Sequence, residues 1–170
     1  MVHALLARVP RLRLAVSATT RARRPGEVEG VHYHYLSDEE FDRRLAGDEF
    51  LEYHTFPWGQ RSGTLLSELD RIAAEGDIPL LELEPDGSQR VKSLVPEALT
   101  IFIDAPLDEL ERRLRARATE SAGEIGDRIR LAAEQRALAG EFDFVVENDD
   151  RERAADEVVE LVERELAACR

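Results

Sequence analysis

Lysine is nearly missing from this chain: Lys92 is the only one among 23 basic residues, the rest being arginine. Cysteine is as scarce. Cys169 has no second cysteine to pair with, which excludes an internal disulfide and sets a reducing cytoplasm as the expected compartment. No apolar run approaches 18 residues, which excludes a spanning helix of that kind and sets the expectation of no membrane partner. The first residues show no apolar stretch ending in a small-residue cleavage site, so no secretory leader is expected. Residues 1–26 contain no acid at all, although the chain holds 36 Asp and Glu and a net charge of −13. Such an excess of acid repels polyanions, so nucleic acid is not an expected partner.

What the acid-free segment does contain is six arginines: Arg8, Arg11, Arg13, Arg21, Arg23 and Arg24. Arginine presents a planar fork of donors that fits phosphate oxygens two at a time. Within "SATTRARRPGE" (17–27), Arg21 and Arg24 stand three apart among the hydroxyls of Ser17, Thr19 and Thr20. Gly26 lets the backbone approach a ligand, and Tyr33 follows with a phenol. Two forked cations, small hydroxyls and a phenol suit a dianionic phosphate; the alternative is a solvated charge run in an arginine-biased chain.

The rest of the pattern alternates between strand-like and helix-like segments within a length that suits one domain. "LRLAV" (12–16), "YHYL" (33–36), "EFLEYHTF" (49–56), "IPLLEL" (78–83), "LTIFI" (99–103) and "FDFVV" (142–146) read as strands. The last three are largely apolar, as buried parallel strands are. Ser37 with Glu40 forms a capping-box pattern that opens a helix closed by Gly47. "PWGQRSG" (57–63) reads as a turn, and a helix is expected from Thr64 to Ala74. Further helices are expected near 88–95, 107–117, 121–139 and 152–168. The fold class is therefore α/β with a parallel sheet, and residues 33–63 read as a separate small lobe.

"SATTRARRPGEVEGVHYHYLSDEEF", followed by "DEFLEY", closely resembles the nucleotide-monophosphate-binding region of guanylate kinases, where S-x-T-T-R-x-x-R-x-G-E precedes G-x-x-Y and E-F-x-E. The resemblance runs on through "ERRLRARATES", "DRI" and "FVVENDD", and covers about the whole chain. It implies one domain over 1–170 with a P-loop kinase-like parallel sheet flanked by helices. It further implies an inserted monophosphate lobe at about 33–63 and a helical lid at about 113–130. GMP and ATP would be the substrates, with Mg²⁺ entering alongside ATP.

By that resemblance Arg21, Arg24 and Tyr33 would grip the GMP phosphate, Ser17 and Glu52 would read guanine, and Thr64 would offer a hydroxyl near the base. Guanine presents two adjacent donors that one carboxylate accepts together, whereas adenine offers a repulsive lone pair there; such pairing can discriminate by about 10⁴–10⁵. Arg113, Arg117 and Arg128 would be lid arginines that neutralise the phosphoryl group in transfer. Glu84 stands where an aspartate is frequent, with Gly87 three residues on, and Asn148 falls near the expected adenine site. Arg115 and Arg130 read as members of a solvated face.

Four positions depart from the family pattern. Ser62 replaces a tyrosine of the G-N-x-Y-G-[ST] turn, leaving Trp58 or Arg61 to compensate. Arg23 replaces a proline, Ala118 a lid glycine, and Glu84 the aspartate. The 170 residues also contain no G-x-x-x-x-G-K-[ST]; "DGSQRVKS" ends suitably, but Asp86 and Val91 occupy the glycine positions. The resemblance would place that loop just before Met1. The expectation is thus a truncated or mis-started guanylate kinase, poorly stable and inactive in this form. The alternatives are a non-catalytic module binding GMP or a phosphopeptide, and a kinase with a shifted substrate. No oligomeric state is readable.

Overall fold

Residues 10–97 build one unit around a four-stranded sheet, and residues 1–9 with 98–170 build another. The computed structural model describes residues 1–117 and 122–168, with the side chains of Arg117, Ala122 and Glu124 excepted. Ala118 and Cys169 therefore lie outside the described residues, as does the side chain of Arg117.

In the first unit β1 (Leu12–Leu14) runs parallel to β6 (Ile78–Leu80), extended by Ala15 N–H donating to Leu80 O at 3.0 Å. The larger sheet has the order β3-β2-β5-β4, from β2 (Ala18–Thr19), β3 (His34–Tyr35), β4 (Phe50–Thr55) and β5 (Arg61–Leu65). One of its faces is apolar. Ala18, Phe50 and Leu65 pack there on Phe41 of α2 (Asp38–Ala46), with Leu36 and Leu45 alongside. Phe41 is fully buried and stacks on Phe50 with ring centroids 4.5 Å apart. Ser37 caps α2 as its sequence pattern predicts, its Oγ accepting Glu40 N–H at 3.1 Å, and Gly47 closes the helix. α3 (Leu66–Ala74) buries Ile72, and α4 (Pro85–Leu94) buries Val91.

Alternation along β4 is broken between Phe50 and Glu52. Phe50 pairs with Leu65 and Glu52 with Thr64, so Leu51 is an extra residue, a β-bulge. Without it Phe50 and Glu52 would face the same way, since side chains two apart share a face. The bulge is tied down from outside the sheet, where Arg90 Nε of α4 donates to Leu51 O at 2.9 Å.

The second unit holds α1 (Val2–Arg8), β7 (Ile101–Asp104), α5 (Leu107–Arg117), α6 (Ala122–Arg136), a 3₁₀ turn at Ala139–Glu141, β8 (Phe144–Glu147) and α7 (Arg151–Ala168). β7 and β8 pair in parallel. Asp143 joins their starts, its Oδ2 accepting both Thr100 N–H (2.8 Å) and the Thr100 hydroxyl (2.9 Å). Ala154, Val158, Leu161 and Val162 form the buried stripe of α7, and Arg8 of α1 pairs with Asp156.

Several expectations need correction. Residues 61–63 belong to a strand, and Thr64 is paired within that strand instead of opening a helix; the strand runs to Leu65 and the helix starts at Leu66. Gly63 misleads because it reads as a turn residue; a Cβ there would fall 2.6 Å from Glu52 O and 2.9 Å from Phe50 and Tyr53, so the glycine permits close strand approach. β2 lies inside the expected polar loop, because a two-residue strand is fixed only by partners far along the chain. α4 starts at Pro85, three residues before the expected 88. β6, β7 and β8 are shorter than their apolar runs and only partly buried: Val146 is 1% exposed, Val145 49%.

Candidate functional site

Opposite the apolar face, the sheet of residues 10–97 is polar. Thr19 pairs with Ser62, Thr64 with Glu52, and Ser62 with His54, so these side chains share one face. The register that sets Ala18 beside Gly63, continued by one position, brings Ser17 level with Thr64. Ser17, Thr64 and Glu52 then form a row across three strands, spanning about 10 Å at the usual strand spacing. Ser17 is fixed further by its carbonyl, which accepts His34 N–H at 2.9 Å.

Glu52 is 3% exposed and Thr64 1%. Burial pushes the Glu52 carboxyl above the ordinary range; hydrogen bonds from the Thr64 hydroxyl and backbone act the other way, Asp86 raises it further, and His54 lowers it. The first turn of α4 lies over this carboxylate. A Cβ on Gly87, the third residue of α4, would stand 2.5 Å from Glu52 Oε2, so the site requires glycine there. Asp86 Oδ2 lies 2.9 Å from His54 Nδ1, joining the same helix end to the same strand. Glu84 is the residue that caps this helix, although its side chain makes no capping bond; Pro85 supplies the first helical position instead. The structure thus brings Ser17, Thr64, Glu52 and Gly87 together, with Glu84 at the helix end beside them.

Arg21 is held in a second cluster. Its guanidinium forms a two-pronged pair with Glu27, NH1 to Oε2 at 3.0 Å and NH2 to Oε1 at 2.7 Å. The Tyr33 ring lies 5.1 Å from the guanidinium carbon and the Tyr35 ring 5.8 Å. Glu27 Oε2 also accepts Arg24 N–H and the Tyr35 hydroxyl, each at 2.7 Å. The Arg21 hydrogen bond, reinforced by Arg24 N–H and Tyr35, holds the Glu27 carboxyl down at about 2 despite its partial desolvation. Arg21 and Tyr33 are therefore together, and Arg24 joins through its backbone while its side chain is exposed. Gly26 acts through its conformation, φ 86°, and not through close packing, since a Cβ there would meet nothing within 4 Å.

Arg61 and Trp58 are the two residues that could compensate for Ser62. The Arg61 guanidinium pairs with Asp38 and Asp42 and lies 4.6 Å from the centre of the Phe41 ring, on the apolar face. Trp58 stacks on Phe56 and donates to Gln60 Oε1 at 3.2 Å. Ser62 itself donates to Ala18 O at 3.1 Å.

Glu27 closes the S-x-T-T-R-x-x-R-x-G-E pattern without an assigned role there, and neither Tyr35 nor Glu68 stands out in the sequence. Glu68, 6% exposed, accepts Val16 N–H at 2.9 Å and pairs with Arg71 (2.7 Å) and His34 (3.2 Å). Burial raises its carboxyl, but Arg71, Val16 N–H and His34 together overcome that and leave it at about 2. The available signal was its spacing: Glu68 precedes the buried Ile72 by one turn, so it sits on the inward face of α3.

In the other unit, Arg113 and Asn148 meet. Arg113 NH2 donates to Asn148 O at 3.0 Å and its Nε to Glu109 at 2.6 Å. Asn148 Oδ1 is buried without a hydrogen-bond partner, while its N–H donates to Asp104 O at 2.6 Å. Arg128 is half-buried on α6. Arg115 pairs with Glu111 and Arg130 with Asp127 on exposed surface, the solvated pairing expected of them. Among the described residues no cluster of three His, Cys, Asp or Glu is placed to hold a metal ion, and no described helix is long and apolar enough to cross a membrane.

Residues 1–165 match the family model described as guanylate kinase. The chain is 42% identical over 168 residues to a guanylate kinase of Rubrobacter xylanophilus, covering 98% of this chain and 87% of that one. It is 41% identical over 163 residues to a guanylate kinase of Mycoplasmopsis synoviae, covering 91% and 82%. Its structure is similar to the crystal structure of guanylate kinase from Anaplasma phagocytophilum, with TM-score 0.77 and 27% identity over 96% of this chain and 81% of that chain.

Proposed function

The chain belongs to the guanylate kinase family, and from that membership we propose that residues 10–97 bind GMP as phosphoryl acceptor. The observation that supports this best is Glu52, a carboxylate 3% exposed beneath the polar sheet face with Gly87 leaving it room. A buried carboxylate without a matching cation is a poor choice for stability. It suits a ligand that brings its own pair of donors, as N1–H and the 2-amino group of guanine do. Ser17 and Thr64 extend the row along which the base would lie. Arg21, Arg24 and Tyr33 would take the phosphate, and Glu84 would face the nucleoside from the end of α4.

In the reaction the acceptor phosphate oxygen attacks the γ-phosphorus of ATP, the bond to the β,γ-bridging oxygen breaks, and GDP and ADP leave. No side chain becomes covalently attached; the chemistry is positioning and charge neutralisation. We assign Arg113, Arg117 and Arg128 of the 113–130 lid to the transferring group, Asn148 to the adenine side, and 33–63 to the acceptor lobe. Mg²⁺ would enter as part of the Mg-ATP substrate. We place the activity in cytoplasmic purine nucleotide metabolism.

The 170 residues contain no G-x-x-x-x-G-K-[ST], and backbone amides and a lysine in such a loop are what cradle donor phosphates in this chemistry. We therefore propose that this form binds GMP without phosphorylating it. A second reading, favoured by the braced Arg21 beside Tyr33, is a non-catalytic module of this fold that binds GMP or a phosphopeptide through Arg21, Arg24 and Tyr33. Calorimetry with GMP, combined with an ADP-release assay using GMP and Mg-ATP, tests the proposal. GMP binding with no ADP release supports it; ordinary turnover overturns the claim of inactivity; failure to bind GMP overturns the acceptor site.

A further inference from the structure

Ser62 stands where the family pattern has a phosphate-binding tyrosine, and its hydroxyl is occupied by Ala18 O. The chain has only three tyrosines. Tyr53 sits edge-on to Phe41, on the apolar side of the sheet. The other two lie side by side against Arg21, and only Tyr33 belongs to the family's phosphate grip. Tyr35 is left without an assigned role, yet its hydroxyl reaches Glu27 Oε2 at 2.7 Å and its ring lies 5.8 Å from the Arg21 guanidinium.

Three donors converge on that one carboxylate oxygen: Arg21 NH1, Arg24 N–H and the Tyr35 hydroxyl. A free arginine side chain carries rotamer entropy that a phosphate must otherwise remove on binding. Glu27 fixes the fork of Arg21 while the two rings, 5.9 Å apart, lie side by side against it. Tyr35 in turn fixes Glu27, since it arrives from β3 whereas Arg21 and Arg24 arrive from the loop that Glu27 itself closes.

We propose that Tyr35 is a positioning residue of the monophosphate site, acting through Glu27 to hold Arg21 ready for the GMP phosphate and offsetting the loss of the turn tyrosine at Ser62. The inference rests on the reading of residues 10–97 as a GMP acceptor site. It requires no contact between Tyr35 and the nucleotide.

A double-mutant cycle tests it by calorimetry on the 170-residue chain, with GMP and guanosine as ligands. Tyr35→Phe removes only the hydroxyl and keeps the ring. Expected is a three- to tenfold weaker Kd for GMP with the Kd for guanosine unchanged, because guanosine has no phosphate for Arg21 to meet. Glu27→Gln breaks the same chain of contacts, and Tyr35→Phe added to it should weaken GMP no further. Thermal unfolding of each variant confirms a folded protein. Equal loss for GMP and guanosine, independent additive losses in the double variant, or no effect of Tyr35→Phe would overturn the inference while leaving the acceptor site standing. Absence of GMP binding by the unmodified chain would bring down both.

Discussion

Gly87 and Glu52 fit together with no space for a methyl group: a Cβ on Gly87 would lie 2.5 Å from Glu52 Oε2 and 3.2 Å from its carboxyl carbon. One residue lies on a helix and the other on a strand, and their contact fixes how deep the carboxylate sits. Gly87→Ala must therefore move either the helix or the carboxylate. The expected result is a GMP Kd weakened at least tenfold, measured by calorimetry, with arginine-dependent binding of inorganic phosphate much less affected.

Glu52→Gln separates binding from stability. Burial raises the Glu52 carboxyl in the fold, so the native state holds a proton more tightly than the unfolded chain and stability contributed by this group falls as pH rises through the shifted value. Replacing the carboxylate with a neutral amide should raise the thermal midpoint at pH 7 and abolish discrimination between GMP and AMP. For the unmodified chain, GMP affinity should fall on acidification at a higher pH than an ordinary carboxylate would show.

Glu68 carries the opposite sign. Its carboxyl is held at about 2 in the fold, so it stabilises the native state above the ordinary carboxylate pKa, and that contribution is lost as pH falls toward about 2. Glu68→Gln should lower the thermal midpoint at neutral pH by several degrees. Thermal melts between pH 7 and pH 2.5 should show the gap to the unmodified protein closing from about pH 4.5 downward.

Arg90 should influence guanine recognition without touching the base. Its Nε holds Leu51 O, the carbonyl of the extra residue in β4, and that extra residue turns Glu52 away from the face occupied by Phe50. Arg90→Ala should weaken GMP several-fold by calorimetry. Arg90→Lys should recover only part of the loss, because an ammonium cannot reproduce the geometry of the guanidinium Nε–H.

Phe41→Ala tests the scaffold beneath the site. Phe41 is 0% exposed and stacks on Phe50 at 4.5 Å. Urea unfolding should report a loss of about 3–5 kcal/mol. Such a loss removes much of a typical domain's stability.

The local elements were readable where a short stretch carries its own instructions. Ser37, Glu40 and Gly47 bracket α2 by capping chemistry alone, and the stripe of α7 follows from helical spacing. The register was not readable. "EFLEYHTF" suggests unbroken alternation, which would put Phe50 and Glu52 on one face; the bulge that separates them arises in pairing with β5 and its carbonyl is held by Arg90, some forty residues away. Gly63 looked like a turn because composition cannot tell a glycine needed for bending from one needed for close strand approach. Among the candidate site residues, Arg21 was legible from its chemistry, a forked cation three residues from Arg24 among small hydroxyls, and Glu52 from motif resemblance. Glu27, Tyr35 and Glu68 escaped because their importance lies in the partners the fold brings to them.

The most direct measurement is calorimetric titration of the 170-residue chain with GMP, AMP and guanosine under one set of conditions. If a buried carboxylate and a braced arginine make the acceptor site, GMP binds best, guanosine binds more weakly, and AMP binds at least a hundredfold more weakly than GMP. Comparable affinity for AMP and GMP would contradict the assignment of Glu52 as the guanine reader, and no binding of any of the three would contradict the site itself.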